Sequence, residues 1–314
     1  MRNPDGRWEK FDDYVLDFAL DRMRHNEQVA LVTLANIEGT APRPRGAQMA
    51  ISQTGEWVGY LSGGCIERAV VAEALAALDE GKSRYVRYGR GSKYLDIQLP
   101  CGSAIDLHFD VDIDKADLAT AQSRLEERNP ASLQIGNSST SPDMPFIRHY
   151  RPRRRLIVVG IGPGAVQLAK LARSAGFATL LQSPDELTRS AVSEYGIETI
   201  AIAPGRNTPA LTADAWTAIV FMFHDHEWER ELIPAAIRTD AFYIGAMGSR
   251  RAHLQRLEML KSLGMDDASL ARIRGPAGLF AGAKSAPDVA ISILAEIVQV
   301  DNAQCTPLIE DTGT

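Results

Sequence analysis

Cysteines, long apolar runs and an excess of basic charge are all scarce in this 314-residue sequence. The three cysteines, Cys65, Cys101 and Cys305, form neither a CxxC pair nor a closely spaced even set. Their spacing excludes a secreted disulfide scaffold and argues against a zinc site made of thiolates alone. The longest apolar stretches, such as residues 218–223, are far too short to cross a bilayer. We therefore expect no membrane association.

The charge balance is mildly acidic. Lysine and arginine number 34 against 40 aspartates and glutamates, which gives a net charge of −6. A dedicated nucleic-acid-binding protein normally carries a strong basic excess, so we expect no nucleic-acid partner. The opening MRNPDGRWEKFDD is polar and lacks the apolar core of a signal peptide. We therefore expect a soluble, cytoplasmic protein.

The length and composition suit two globular domains, with 45% hydrophobic and 24% charged residues. Residues 129–153 are rich in Ser, Pro, Gly and Asn, and the stretch 148–155, which runs two residues past them, contains five arginines. This composition is typical of a solvated linker. We therefore predict an N-terminal domain over 1–128, a linker over 129–153 and a C-terminal domain over 154–314.

The hydrophobic pattern differs between the two predicted domains. In the first it predicts helices over 11–28 and 66–80 among strands over 29–35, 47–51, 57–61, 83–88, 95–99 and 104–111. In the second, predicted strands over 156–159, 177–181, 197–202, 217–223 and 241–244 alternate with helices over 164–175, 186–195, 249–263 and 286–300. The fold class is therefore α/β, with a mixed α+β N-terminal domain followed by a Rossmann-like, doubly wound parallel sheet. We expect the polar tail from Asp301 onward to be frayed.

A glycine-rich motif opens the second domain. Residues 160–165 (GIGPGA) match the GxGxx[G/A] dinucleotide fingerprint between a predicted strand and a predicted helix. Gly160 and Gly162 would let the backbone approach a phosphate at the helix N-terminus. The acidic residue that binds ribose in such proteins is missing, because Ser183 stands near that place and Asp185 follows in a predicted turn. The motif thus favours the Rossmann-like fold more strongly than tight NAD(H) binding.

A second glycine-rich helix start contains four candidate binding residues, Ser62, Gly63, Gly64 and Cys65. Free N–H groups at a helix start favour an anion, and a cysteine there is partly thiolate at neutral pH. Alternatively, Cys65 is a small buried residue at a tight turn. Cys101 and Gly102 lie in a similar turn, which matters only if the fold brings it beside Cys65.

Two candidate ligand contacts follow predicted strands of the second domain. His224 comes at the end of the strand over 217–223, where a parallel sheet places its ligand crevice. His224 and His226 would bind a metal ion or act as acid and base. Alternatively, both lie in a solvated loop, and Asp225 only caps the next helix. Further on, Ser249 is a predicted N-cap, and Arg250 and Arg251 follow in the first helical turn. These arginines oppose the helix dipole unless an anion is present, although a solvent-facing pair near carboxylates is the alternative.

These motifs, in this order, resemble the XdhC/CoxI family. The resembling segments are 38–43 (EGTAPR), 46–49 (GAQM), 62–67 (SGGCIE) and 100–102 (PCG), then 160–162, 224–225, 243–251 (YIGAMGSRR), 275–283 and 287–294. The resemblance implies a Rossmann-like C-terminal domain and a role in maturing molybdenum hydroxylases such as xanthine dehydrogenase. Members of the family bind the molybdenum cofactor (molybdopterin), protect its sulfurated form and help to insert it into the apoenzyme.

The resemblance also implies partners and binding residues. It implies a client of the xanthine, aldehyde or carbon monoxide dehydrogenase type, a cysteine desulfurase, a homodimer and no turnover chemistry. The cofactor carries a phosphate, which suits Arg250 and Arg251, and cysteine sulfur suits its soft metal end. The residues expected to bind the cofactor are Ser62, Gly63, Gly64, Cys65, Cys101, Gly102, Gly160, Gly162, His224, Ser249, Arg250 and Arg251.

Two other functions remain open at this point. An NAD(P)-dependent oxidoreductase would bind nicotinamide at residues 160–165, with His224 or His226 as acid or base. A docking factor would bind a partner enzyme and no small molecule. The chain departs from the family pattern at residues 182–184 (QSP) and at Phe280, where the family carries acidic residues. These departures weigh against the binding of a polar ligand by the second domain. They affect the motifs of the first domain much less.

Overall fold

A computed structural model describes residues 14–62, 64, 66–92, 102–136, 145–203, 211–224, 226–280, 282–304 and 307–311, with only the backbone of His226. The chain divides into two compact units. The first comprises Met1–Pro152 and Thr306–Thr314, and the second comprises Arg153–Cys305. The two units meet in sequence at the end of the predicted linker, and the last residues of the chain belong to the first unit.

The first unit is built on a five-stranded antiparallel sheet in the order β3-β2-β1-β5-β4. Its strands are β1 (Val29–Glu38), β2 (Gln48–Ser52), β3 (Trp57–Gly59), β4 (Arg84–Gly89) and β5 (Ala104–Asp110). Alternate side chains of the central strand β1 are buried on opposite faces, as the apolar run VALVTLA predicts. Leu31 packs beneath the helices α1 (Tyr14–Arg24) and α3 (Lys115–Glu126), while Val32 packs against α2 (Glu67–Glu80). The N-terminal unit is therefore a mixed α+β domain, as predicted.

A small three-stranded sheet completes the first unit in the order β14-β7-β6. Its strands are β6 (Ala131–Ile135), β7 (Phe146–Tyr150) and β14 (Ile309–Asp311). Residues 129–153 thus contain two strands where we expected a solvated linker, and the tail contributes the third strand where we expected fraying. The alternating burial of β6 explains the difference, because a strand with one apolar face keeps a polar composition.

Arginines at the end of the expected linker and directly after it are also not free in solvent. Arg148 is only 1% exposed, and its Nε–H donates to the carbonyl oxygen of Gly46 at 2.6 Å. Its guanidinium lies 4.5 Å from the centroid of the Tyr150 ring. Arg154 pairs with Asp301 at 3.4 Å, and Arg155 donates to the hydroxyl of Thr217. The basic cluster is thus part of the packing of each unit, and its interpretation as a solvated linker is wrong.

The second unit contains a six-stranded parallel sheet in the order β10-β9-β8-β11-β12-β13. The strands are β8 (Arg155–Gly160), β9 (Ala178–Ser183), β10 (Glu198–Ala201), β11 (Thr217–Met222), β12 (Tyr243–Ala246) and β13 (Ile273–Arg274). In chain order this is 3-2-1-4-5-6, the order of a dinucleotide-binding Rossmann sheet, and it confirms the predicted Rossmann-like fold. The order reverses between β8 and β11, which is where such sheets place a ligand crevice.

Helices cover both faces of this sheet, as the alternating pattern predicts. On one face α4 (Pro163–Ser174), α5 (Glu186–Ser193) and α9 (Ala286–Ala303) supply Leu168, Val192 and Ile293 to the core. On the other face α6 (His226–Ile237), α7 (Arg250–Ser262) and α8 (Asp267–Ala271) supply residues such as Leu232 and Leu260. In the part of the chain that the structure describes, no helix is both long enough and apolar enough to span a membrane.

Some elements were not predicted. The helices α3 and α8 and the short strand β13 have no counterpart in the sequence analysis. The Asp114 side chain caps α3 by accepting a hydrogen bond from the N–H of Ala116 at 2.6 Å. The predicted strand over 95–99 lies outside the described residues.

Candidate functional site

The glycine-rich turn of the first unit is organised by Glu67, the first residue of α2. Glu67 is only 3% exposed, and its carboxylate points back into the turn. Oε1 accepts hydrogen bonds from the N–H groups of Leu61 at 3.1 Å and Ser62 at 2.8 Å. Oε2 accepts from the Ser62 hydroxyl at 2.9 Å and from the N–H groups of Gly64 at 2.8 Å and Ile66 at 3.2 Å. Among the described residues of the turn, five donors therefore surround one internal carboxylate.

These bonds show that the turn does not offer the free N–H groups that the sequence predicted. Burial alone would raise the pKa of Glu67, but hydrogen bonds from Ser62 and Leu61 outweigh it and hold the pKa below its ordinary value. The sequence predicted free N–H groups that attract an outside anion. In the structure, the N–H groups of residues 61, 62, 64 and 66 already bind the charge of Glu67.

The candidate residues around this turn are only partly described. Gly64 adopts φ +114°, a conformation that favours glycine, while Gly63 and Cys65 lie outside the described residues. In the other predicted turn, Cys101 also lies outside the described residues, and Gly102 adopts φ +64°.

The loop before the turn adds a positive group. The guanidinium of Arg43 lies 4.5 Å from the centroid of the Tyr60 ring, and its Nη1 donates to the Tyr60 hydroxyl at 3.3 Å. Tyr60 directly precedes Leu61, whose N–H binds Glu67. The segment 38–43, which carries part of the family resemblance, thus contacts Tyr60, two residues before the SGGC turn, through Arg43.

In the second unit, the GIGPGA turn serves packing and helix capping. A Cβ at Gly160 would lie 2.6 Å from the carbonyl oxygen of Met222, so glycine is needed for β8 to pack against β11. The N–H of Gly162 donates to Thr188 Oγ1 at 2.9 Å. The hydroxyl of Thr188 donates in turn to Asp185 Oδ2 at 2.5 Å. One N–H expected to face a phosphate is therefore bound to the protein, and Pro163 provides none.

The carboxyl end of β9 lacks the group that would bind a ribose. Ser183 ends the strand, and its hydroxyl accepts a hydrogen bond from the N–H of Asp185 at 3.2 Å. Asp185 caps α5 by accepting from the hydroxyl and the N–H of Thr188, and these bonds lower the pKa of its carboxyl group. Because Asp185 has this structural role, the geometry gives no support to the NAD(P)-dependent alternative.

The start of α7 presents two unpaired arginines. Ser249 is the N-cap, as predicted, and its Oγ accepts from the N–H of Ala252 at 3.1 Å. Arg250 and Arg251 are exposed, and neither forms an ion pair or a hydrogen bond with any residue that the structure describes. The exposure of both side chains agrees with a solvent-facing pair, but no carboxylate of the described residues pairs with either of them. The first turn of the 13-residue helix contains no acidic residue, so its dipole and both cations favour an anion.

A buried ion pair fixes the turn that leads to these arginines. Arg256 donates to Glu229 through Nε and Nη2, both at 2.8 Å, and the two side chains are 1% and 0% exposed. Nη2 also donates to the carbonyl oxygen of Met247 at 2.8 Å. Met247 directly precedes Gly248, which adopts φ +144°. The pair therefore anchors the backbone just before the helix start.

Three candidate segments of the second unit share the carboxyl edge of its sheet. The N–H of Ile161 donates to the Met222 carbonyl at 3.3 Å, and that of Met247 donates to the Phe221 carbonyl at 2.9 Å. The turns after β8 and β12 thus flank the end of β11, where His224 is exposed. Asp225 lies outside the described residues. Among the described residues, no cluster of three or more His, Cys, Asp or Glu side chains is placed to hold a metal ion.

Sequence reasoning missed four residues that shape these sites, namely Glu67, Thr188, Glu229 and Arg256. Glu67 stood inside a recognised motif, but the motif does not show that its side chain turns back to bind the preceding backbone. Glu229 and Arg256 lie 27 positions apart on two helices, and no local pattern pairs them. A carboxylate directly after a glycine-rich turn was the one signal that pointed to such a role.

Comparison with known proteins tests the family resemblance. Residues 23–89 match the model of the XdhC and CoxI family, and residues 156–297 match that of the XdhC Rossmann domain. The chain is 33% identical to the "Molybdenum cofactor insertion chaperone PaoD" of Escherichia coli K12, over 92% of this chain and 89% of PaoD. The chain belongs to the XdhC and CoxI family.

Another relative agrees with this membership of the XdhC and CoxI family, and a solved structure shares the fold. A probable xanthine dehydrogenase subunit of Bacillus subtilis 168 is 25% identical over 88% of this chain and 94% of its own length. A crystal structure described as a xanthine dehydrogenase from Bacillus halodurans superposes with a TM-score of 0.76 at 21% identity. It covers 94% of this chain and 97% of that one, and at this identity it shows the shared fold.

Proposed function

We propose that this protein is a molybdenum cofactor chaperone that binds the cofactor and helps to insert it into a client molybdenum hydroxylase of the xanthine dehydrogenase type. The main support for this proposal is the similarity to PaoD, a molybdenum cofactor insertion chaperone, along nearly the whole of both chains. Because this similarity spans both units, it includes the SGGC turn and the start of α7.

The start of α7 fits the phosphate of the cofactor. Arg250 and Arg251 are exposed, lack protein partners among the described residues and lie at a helix N-terminus. Guanidinium groups bind phosphate oxygens in a bidentate manner, and the N-terminal N–H groups add further donors. We propose these residues with Ser249 as the phosphate-binding part, and His224 at the same edge as a further contact.

The first unit supplies a separate group of candidate contacts. We propose that the turns containing Ser62, Gly63, Gly64 and Cys65, and Cys101 and Gly102, contact the sulfur-bearing end. Cysteine sulfur suits molybdenum and its sulfur ligands because both partners are soft. In the second unit, Gly160 and Gly162 serve chiefly to shape the edge of the sheet, since their backbone is committed to Met222 and Thr188.

Several partner properties belong to the same proposal. A cysteine desulfurase would supply the sulfur of the sulfurated cofactor, and the client and this chain would meet in the cytoplasm. We also propose that the protein forms a homodimer. Light scattering of the purified protein tests the homodimer, and co-purification with the client and the desulfurase tests both partners.

A charge-matched pair of variants tests the phosphate-binding part. We expect Arg250→Ala/Arg251→Ala to carry at least roughly a hundredfold less pterin per chain than the wild type, because the loss of two charged hydrogen bonds of about 1.5–3 kcal/mol each costs about 3–6 kcal/mol. Arg173→Ala/Arg238→Ala removes two other exposed arginines of the same unit and should load normally. Pterin is measured after purification from cells that make the cofactor. Equal loading of the two variants would exclude Arg250 and Arg251 from the site.

A further inference from the structure

The carboxylate of Glu67 occupies the position where an anion would bind at a helix start. Oε1 faces two donors and Oε2 faces three, and four of these five donors are backbone N–H groups. The residue is 3% exposed, so these bonds are shielded from water. A glycine-rich helix start with this donor set would ordinarily attract phosphate.

We propose that Glu67 is a positioning residue, which fixes the backbone at Leu61, Ser62, Gly64 and Ile66 and keeps phosphate away from these N–H groups. The part of the cofactor that this turn meets is then its sulfur-bearing end. The inference rests on the proposed function for the identity of the ligand.

The exclusion of phosphate follows from two properties of the turn. First, its N–H groups at Leu61, Ser62, Gly64 and Ile66 are already hydrogen-bonded to Glu67. Second, a phosphate at the turn would stand beside a like charge, which is repulsive at short range. The unpaired cations at the start of α7 have the opposite character, because they carry positive charge and lack a protein anion among the described residues.

The shape of the turn depends on a carboxylate and not on an amide. In Glu67→Gln, either orientation of the side-chain amide places its NH2 group against at least two donors, because each oxygen of Glu67 faces at least two. The variant therefore loses several hydrogen bonds without any change of side-chain size. Glu80→Gln is the matched control, since Glu80 ends the same helix, is 55% exposed and pairs with Arg84 at 2.9 Å.

The first readout is pterin per chain after purification from cells that make the cofactor. We expect Glu67→Gln to carry at least about tenfold less pterin than the wild type, and Glu80→Gln to carry a normal amount. Circular dichroism and the thermal midpoint report whether each variant is folded. Normal loading of a folded Glu67→Gln would overturn the inference and leave the proposed function intact.

The second readout is the binding of inorganic phosphate, observed through the amide NMR signals of Ser62 and Gly64. In the wild type we expect no phosphate-dependent shift of these signals. In Glu67→Ala, which frees the donors and leaves space between them, we expect a saturable shift. If Glu67 only stabilised the fold, its removal would not create a phosphate site. A saturable shift therefore shows that Glu67 keeps phosphate off the turn, beyond any contribution to folding.

The two measurements distinguish a failure of this inference from a failure of the proposed function. A saturable phosphate shift of Ser62 and Gly64 in the wild type would overturn the inference, and this arm needs no variant to fold. Wild-type protein without pterin would overturn the proposed function, while the phosphate titration would still decide whether Glu67 keeps anions off the turn.

Discussion

Replacing Glu229 with glutamine lowers the free energy of unfolding of the second unit by about 3 kcal/mol or more. Glu229 and Arg256 are 0% and 1% exposed and share two hydrogen bonds of 2.8 Å. The neutral amide accepts at most one of them and leaves the guanidinium charge buried without a counter-ion. The cost of an uncompensated buried charge is larger than the loss of a surface ion pair, which contributes about 1 kcal/mol or less.

Hydrogen exchange of the β11 amides measures this loss in the second unit alone, because fully buried strands exchange through unfolding of the unit. Glu231→Gln is the control, since Glu231 lies on the same helix and is exposed. The double variant Glu229→Leu/Arg256→Met removes both charges and should be less destabilised than Glu229→Gln. If Glu229→Gln exchanged like Glu231→Gln, the buried pair would contribute nothing to the stability of the unit.

The same variant reports on the phosphate-binding part of the proposed site. Arg256 holds the Met247 carbonyl at 2.8 Å, directly before the turn that leads to Ser249. Loss of Glu229 frees Arg256 to move and loosens this turn. We therefore expect pterin loading to fall together with stability in Glu229→Gln, and to remain low in the double variant, which lacks the anchor at Met247.

Acidification from pH 7.5 to pH 5 lowers the free energy of unfolding of the first unit, and His108 alone contributes about 2 kcal/mol to that loss. His108 lies on β5 between Thr33 and Tyr85 and is fully buried. Neither ring nitrogen has a hydrogen-bond partner among the described residues. Burial lowers the pKa of His108 from 6.5 to about 4.

The sign of this effect follows from proton binding. Between pH 6.5 and pH 4 the unfolded chain binds a proton at His108 and the folded unit does not, so acid favours unfolding. The stability is fully present above pH 6.5 and is lost as the pH falls toward 4. The complete loss is about 3 kcal/mol, because each pKa unit corresponds to about 1.4 kcal/mol.

His108→Leu isolates this contribution, because leucine has a similar volume and does not titrate. The measurement is urea unfolding at pH 7.5 and pH 5, followed through the amide NMR signals of β1. Asp110, whose pKa is raised by burial, and Glu67 are present in both proteins, so their effects cancel in the comparison. The wild type should lose about 2 kcal/mol more than the variant over this range. An equal loss in both proteins would contradict the prediction.

The fold was largely predictable because it is encoded in local patterns. The alternation of apolar strands with helical segments predicted the parallel sheet, and Gly160 before α4 marked its first crossover. The strands predicted over 47–51 and 57–61 are present as β2 and β3, which pair antiparallel. The strands β6, β7 and β14 were missed, because short strands with one polar face differ little in composition from a linker.

The positions of the candidate sites in the sequence were predictable, but the side-chain contacts that determine their chemistry were not. The sequence located the SGGC turn and the arginines after Ser249, since both follow recognisable turn and capping patterns. It could not show that Glu67 occupies the N–H groups of the turn, or that Thr188 occupies that of Gly162, because both contacts depend on where a side chain points. Likewise, the buried state of Arg148 depends on packing against Tyr150, which no local pattern predicts.

The most direct test of the proposed function is the amount of molybdenum and pterin carried by the protein when it is purified from cells that make the cofactor. We predict nearly one pterin per chain in the wild type and in Cys305→Ala, and a large loss in Cys65→Ala or Cys101→Ala. A folded wild-type protein that carries neither molybdenum nor pterin in cells with an active client enzyme would contradict the proposal that this chain binds the cofactor.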